Sequence, residues 1–193
     1  MTKQELRKIY LDKRKNLSAT VCAQDSRQLF NLFFSYFDLS FVKVLHTYLP
    51  IEKNHEPDTW IMVDRIRREF PHVRLSIPRT NTDGTIEHFY FEGLHQLQPN
   101  RWGIQEPKQG VPTPAEKIDV VIIPLLIVDK AGHRVGYGKG YYDRFLKTCR
   151  SDCKKIGLSF FELVERIDDV DDQDVSLNAC ITPGGVLNFN DSL

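Results

Sequence analysis

No stretch of the 193-residue chain is apolar for long enough to cross a membrane. The most apolar one covers positions 120–128 and is interrupted by Pro124, whereas a membrane helix needs roughly 20 apolar residues. Charge of one sign is missing as well. Lys plus Arg and Asp plus Glu number 26 each, which removes any general attraction to nucleic acid or to an anionic membrane. Any anion site is therefore expected to be local. Cysteine is sparse: Cys22, Cys149, Cys153 and Cys180 include no C-x-x-C pair, and Cys149-x-x-x-Cys153 has no second pair of metal ligands to complete it. Neither a disulfide framework nor a zinc site is expected, and the thiols read as reduced. The six histidines show no metal-ligand spacing, and no Ser-His-Asp or Cys-His arrangement stands out. The opening MTKQELRKIYLDKRK is charged and lacks the apolar core of a signal peptide. With no repeat and no low-complexity tract, the chain is expected to be one cytoplasmic domain over 1–193, acting as a monomer.

The most informative stretch is VVIIPLLIVDKAGHRVGYGKGYYDRFL, positions 120–146. Its apolar opening suits a buried strand. Asp129-Lys130-Ala131-Gly132 breaks the run. A basic loop follows, Arg134-Val135-Gly136-Tyr137-Gly138-Lys139-Gly140, with glycine at every second position from 136 to 140. Tyr142, Phe145, Leu146 and Cys149 then recur at helical spacing. The order is strand, glycine loop, helix. Glycines let backbone N–H groups approach an anion, and a helix N-terminus presents unpaired N–H groups. Arg134 and Lys139 add full positive charges, so a phosphate is the expected guest. The loop is not a Walker loop, because five residues separate Gly132 from Gly138 and Gly140 follows the lysine where a Ser or Thr is required. The spacing Gly136-x-Gly138-x-Gly140 is also wrong for a dinucleotide fingerprint. A flexible glycine-rich connection is the plainer alternative, but it gives no reason for two tyrosines, a lysine and an arginine in so few positions.

Around this stretch the chain alternates. Residues 3–15 read as a basic amphipathic helix with Leu6, Ile9, Tyr10 and Lys13 on one face, and Arg14 lies near the face of Arg7. Ser18 is a good N-cap for a second helix over 19–37, with Val21, Cys22, Leu29, Phe30, Phe33 and Phe37 as its apolar stripe. Positions 41–48 read as the first buried strand, and a polar loop carries Ile51 and Glu56. Asp58 can cap a third helix reaching Phe70. Residues 73–78 and 86–91 form an expected hairpin across Asn81-Thr82-Asp83-Gly84. Residues 155–160 and 187–189 add strands, and 162–174 is an acidic run. This order predicts an α/β fold: a single three-layer α/β/α domain with a mostly parallel, Rossmann-like sheet and an inserted hairpin.

The motif RVGYGKGYYDRFL resembles the signature of the 5-formyltetrahydrofolate cyclo-ligase (methenyltetrahydrofolate synthetase) family. The likeness extends over nearly the whole chain. Lys3-Gln4-Glu5-Leu6-Arg7 is similar to the family's opening Lys-x-x-x-Arg pattern, which contributes to its ATP site. Tyr48-Leu49-Pro50…Glu56-Pro57-Asp58-Thr59 resembles its Y-L-P…E-x-x-T pattern, in which the residues matching Ile51 and Glu56 contact the folate. The stretch holding Trp102, Ile104, Glu106 and Pro107 is similar to a G-I-x-E-P segment that shapes the folate pocket; a loop pinned by one buried tryptophan is the alternative. Residues 170–182 resemble the closing V-x-x-H-D-V-x-L-D-x-I-V-T pattern, with Gln173 in place of His and Asn178 in place of the second Asp.

The resemblance implies an ATP-dependent ligase that closes a C–N bond, turning 5-formyltetrahydrofolate, with or without a polyglutamate tail, into 5,10-methenyltetrahydrofolate. It implies that Arg134, Val135, Gly136, Tyr137, Gly138, Lys139, Gly140, Tyr141 and Tyr142 meet ATP. Tyr137 through Tyr141 are shared with the folate. Lys139 and Arg134 are expected to act on the transferring phosphoryl group, and Asp143 and Asp174 to hold Mg²⁺. Two rivals belong to other classes: a small-molecule kinase with an atypical phosphate loop, and a nucleotide- or folate-binding protein without turnover.

Overall fold

The computed structural model describes residues 1–100 and 103–189; Trp102 lies outside the described residues. Helix α1 (Lys3–Lys15) starts at a capping box, in which the Thr2 hydroxyl accepts from Glu5 N and the Glu5 carboxylate accepts from Thr2 N. Such reciprocal caps satisfy two donors that the helix leaves open. Helix α2 (Ala19–Tyr36) starts at Ser18, whose hydroxyl accepts from Val21 N at 3.2 Å. Leu29, Phe30 and Phe33 form its buried stripe, but Val21 is 38% exposed and falls outside it. Helix α3 (Trp60–Glu69) follows Thr59, and the Asp58 carboxylate accepts from Trp60 N at 3.1 Å.

The strands are β1 (Val44–His46), β2 (Arg74–Thr80), β3 (Ile86–Tyr90), β4 (Leu97–Pro99), β5 (Gln105–Pro107), β6 (Val120–Pro124), β7 (Ile127–Val128), β8 (Arg134–Val135), β9 (Lys154–Leu158), β10 (Ala179–Thr182) and β11 (Gly185–Asn188). Helix α4 (Tyr141–Leu146) lies between β8 and β9. Seven strands form the main sheet in the order β11-β10-β9-β6-β1-β2-β3. The inner five are parallel, and antiparallel β3 and β11 close the two edges. The pairs β4–β5 and β7–β8 are small antiparallel hairpins of their own.

Alternation along each strand sorts the core onto two faces. Leu45, Leu75, Ile77, Ile122, Ile156 and Ile181 face α2 and α3. Val44, Val121, Ile123 and Cys180 face the other way, toward Phe145 and Leu146 of α4. The chain steps from β1 to β2 through α3 on the first face. It steps from β6 to β9, in the opposite direction, through α4 on the second. Right-handed crossovers require this change of face when the direction reverses. The reversal leaves a crevice between the C-terminal ends of β1 and β6, the usual place for a ligand in open α/β sheets.

Three expectations need correction. The apolar run 120–128 is two elements. Pro124 has no N–H to continue a central ladder, so β6 ends there and β7 turns away to pair with β8. The helix after the glycine loop ends at Leu146 rather than near Cys149. The first strand is only Val44–His46, and Phe41 before it is 90% exposed. The four cysteines are free. Among the described residues, no helix is long and apolar enough to cross a membrane.

Candidate functional site

A cavity of about 750 Å³ opens at that crevice. The loop after β1 supplies one wall with Tyr48, Leu49, Ile51 and Glu56. The glycine loop and the start of α4 supply another. Pro78, Thr80 and Ile86 of the β2–β3 hairpin, with Glu106 of β5 and Ile104 just before it, form a third. Lys3 and Arg7 of α1 and Asp171, Gln173 and Asp174 close the last side. Helix α1 reaches the cavity because Leu6 packs with Ile127, Val135 and Ile167, laying the helix across the β7–β8 hairpin.

Gly138 and Gly140 have φ of +81° and +67°, a left-handed conformation that residues with a Cβ avoid. A Cβ on Gly138 would lie 3.0 Å from the Arg7 guanidinium carbon. Arg7 Nε donates to the Gly136 carbonyl at 2.8 Å, which places the guanidinium against the loop. Helix α4 has only six residues. The positive potential at the loop therefore rests more on side-chain charge than on the helix dipole.

Six cationic side chains line the cavity: Lys3, Arg7, Arg134, Lys139, Arg144 and Lys147. Most already hold an oxygen. Arg134 Nη2 donates to Asp143 Oδ1 at 2.7 Å, and Nη1 donates to the Val175 carbonyl. Lys3 Nζ donates to Asp174 Oδ2. Burial disfavours the Asp174 carboxylate, but bonds from Lys3 and from Asp171 N, with the charges of Lys3 and Arg134, outweigh it and keep the group below its usual range. Lys147 donates to Gln173 Oε1 at 2.5 Å, and Arg144 donates to the carbonyls of Lys139 and Gly84. Lys139 is exposed on the loop and is the exception among these cations, with no side-chain hydrogen bond or ion pair among the described residues.

Glu56 is only 7% exposed. Its Oε1 accepts from the Tyr137 hydroxyl at 2.5 Å and its Oε2 from Ile51 N at 2.7 Å. Burial raises its pKa, and the two hydrogen bonds and the charge of Arg14 oppose that rise. The hydroxyl of Tyr137 is pushed up by burial and by the Glu56 charge, so it donates and does not ionise. Glu106 accepts from Thr80 N at 3.0 Å, tying its hairpin to β2.

The cavity thus brings together Lys3, Arg7, Ile51, Glu56, Glu106, Asp143 and Asp174 with the glycine loop from Arg134 to Tyr142, apart from Val135. It leaves out Gln4 and Glu5, which face solvent on α1, and Leu6, which is core. Val135 is 1% exposed and packs beneath the loop. A helix face repeats every three to four residues, so Lys3 and Arg7 share the cavity side and the residues between them cannot. Sequence reading missed Arg144, Lys147 and Gln173. Lys147 stands one helical turn beyond Asp143, a spacing that points both to one face.

The 5-formyltetrahydrofolate cyclo-ligase family model matches residues 1–183. A 5-formyltetrahydrofolate cyclo-ligase of Escherichia coli K12 is 30% identical over 138 residues, covering 69% of this chain and 75% of that protein. One from Mycoplasma genitalium is 44% identical over 64 residues, covering 33% of this chain and 39% of its own. The NMR structure of Aquifex aeolicus 5,10-methenyltetrahydrofolate synthetase has a TM-score of 0.82 and 28% identity, and covers 100% of this chain and 95% of that one. The Mycoplasma pneumoniae synthetase structure, 23% identical with a TM-score of 0.72 over 98% of this chain and 100% of that one, shares the fold. A cavity at the sheet's reversal point, a cationic loop with left-handed glycines and a match along most of the length lead to one family: this chain belongs to the 5-formyltetrahydrofolate cyclo-ligases.

Proposed function

We propose that this protein converts 5-formyltetrahydrofolate to 5,10-methenyltetrahydrofolate in an ATP-dependent reaction that releases ADP and phosphate. The formyl oxygen attacks the γ-phosphorus and ADP leaves. The product is an iminium phosphate, in which a poor leaving group has become a good one. The neighbouring aniline nitrogen attacks the activated carbon, loses its proton, and phosphate departs. No covalent bond to the protein is needed. Its task is alignment and charge stabilisation.

The observation that carries this reading is Lys139, a cation with no partner of its own among the described residues, in a loop with left-handed glycines at the cavity wall. It is free to follow charge on the transferring group. Lys3, Arg7 and the loop from Arg134 to Tyr142 take the nucleotide. Ile51, Glu56 and Glu106, with loop residues 137–141, take the folate, and the Glu56 carboxylate accepts from pterin N–H groups. Mg²⁺ takes oxygen ligands and commonly uses one or two carboxylates plus phosphate. Asp143 and Asp174 fit that donor set, since each uses a single carboxylate oxygen, Oδ1 and Oδ2 respectively, in its bonds to protein groups. When bound there, the ion would screen the phosphate charge. Lys3 at one end and Asp174 near the other reach one cavity, which supports reading the chain as one functional unit.

The test is the absorbance of methenyltetrahydrofolate with purified protein, 5-formyltetrahydrofolate, ATP and Mg²⁺. Product that requires all components is expected. Product without ATP, or folate and ATP bound without turnover, would overturn the reading.

A further inference from the structure

Beneath the cavity wall lies a polar layer centred on Arg14. This residue is in the last turn of α1, is 3% exposed, and does not line the cavity. Its Nη1 donates to the Leu125 carbonyl at 3.1 Å, and its Nη2 donates to the Tyr137 hydroxyl. The guanidinium also lies 5.5 Å from the centre of the Tyr137 ring. Its backbone carbonyl accepts from His55 Nδ1 at 3.1 Å, next to Glu56 in the chain. One residue thus holds the turn after β6, the glycine loop and the loop after β1.

Burying a guanidinium is costly unless its donors are met, and no carboxylate forms an ion pair with Arg14 among the described residues. Apolar packing of α1 is already supplied by Leu6. The charge has a specific use at Tyr137. A tyrosine hydroxyl has one proton to donate and two lone pairs to accept with. Arg14 Nη2 and, at 3.4 Å, Asn54 Nδ2 both donate to it. Its acceptor capacity is then filled, and its one proton is committed to Glu56 Oε1.

We propose that Arg14 is a positioning residue: by donating to the Tyr137 hydroxyl it directs that proton to Glu56, and so fixes the carboxylate and its loop against the glycine loop in the arrangement that receives the folate ring. The inference rests on the reading of Glu56 as a folate acceptor. Gly136 is held separately by Arg7, so the nucleotide side has an anchor of its own besides this contact.

The test is calorimetric titration of folate and of ATP, with KM and kcat, for wild type, Arg14→Met, Tyr137→Phe and the double variant, each checked by thermal melting. Arg14→Met is expected to raise the folate Kd and KM about tenfold, the scale of one charge-assisted hydrogen bond. ATP affinity should change less than folate affinity, because Arg7 still holds Gly136. In the Tyr137→Phe background the same substitution should change the folate Kd by less than about twofold, because the path is already cut. Should Arg14→Met not fold, Arg14→Lys carries the same comparison, since one ammonium cannot reproduce the fork that serves both oxygens. Equal effects in both backgrounds, or an unchanged folate Kd in a folded single variant, would overturn the proposal. Glu56→Gln distinguishes the failures. An unchanged folate Kd there overturns the reading of Glu56 and this proposal with it, while a weakened one beside flat Arg14 variants overturns this proposal alone.

Discussion

At Lys139 the choice of residue is best explained by chemistry rather than packing. Ordering a lysine is entropically costly, and here no oxygen of the described residues holds its ammonium. Lys139→Met keeps the stem and removes the charge. The variant should stay folded, because Gly138 and Gly140 still set the loop. Turnover should drop at least about a hundredfold, as when one preorganised electrostatic group is removed. Steady-state kcat at saturating ATP and folate, with thermal melting, checks this. A near-normal kcat would move the role to Arg134 or the metal. Asp174 sits in an acidic run that would ordinarily be solvated, but it lines the cavity and holds Lys3. Asp174→Asn should raise the Mg²⁺ concentration needed for half-maximal rate. A magnesium titration that overlays wild type would assign Asp174 to the Lys3 contact alone.

At the scale of elements, the glycine loop depends on backbone conformation. Alanine at Gly138 meets a positive φ, which costs roughly 1–2 kcal/mol, and its Cβ crowds Arg7. Gly138→Ala should raise the KM for ATP several-fold and lower the melting temperature. An unchanged KM for ATP in a destabilised variant would limit Gly138 to folding. This loop was legible in the sequence because glycine at alternate positions between a strand and a helix bares the backbone, and added cations give the bare amides an anion to meet. The β2–β3 hairpin was legible too, from its Asn-Thr-Asp-Gly turn. The break at Pro124 was written in the sequence but obscured by hydropathy. β6 and β7 are both buried, by different partners, and an apolar run does not say how many partners it has. The contact of Arg14 with Tyr137 could not be read at all. Helical spacing puts Arg14 near Arg7 but is blind to a loop 123 positions away.

At the scale of the whole molecule, an edge hairpin is joined to the other layers through a histidine pair. His46 of β1 is fully buried, and its Nε2 lies 2.9 Å from His88 Nδ1 on β3, sharing one hydrogen bond. The His88 ring stacks on Phe145 of α4 at 3.7 Å. Burial lowers both histidines, His88 to about 4. A histidine depressed in the folded state leaves the unfolded chain holding the extra proton. Its contribution is therefore intact above the unfolded value of about 6.5 and is lost as pH falls toward 4. Stability should decline by up to roughly 1.4 kcal/mol per pH unit for each such proton. His88→Phe retains the stack and removes the titration. Urea denaturation at pH 7.5, 6 and 5 should show a shallower loss for the variant than for wild type. Parallel losses would assign the acid sensitivity to other groups.

The bond between Lys3 and Asp174 spans 171 positions of sequence. A wall built from both ends of a chain has high contact order, and its loop-closure entropy has to be met before the contact is rewarded. The cavity is thus expected to close late in folding: the central strands can pair while the two segments remain apart, but this wall cannot form until they meet. A ligand bridging α1 and the 171–174 segment would therefore act as a clasp on these distant stretches of chain, and its affinity would add to the cost of opening them.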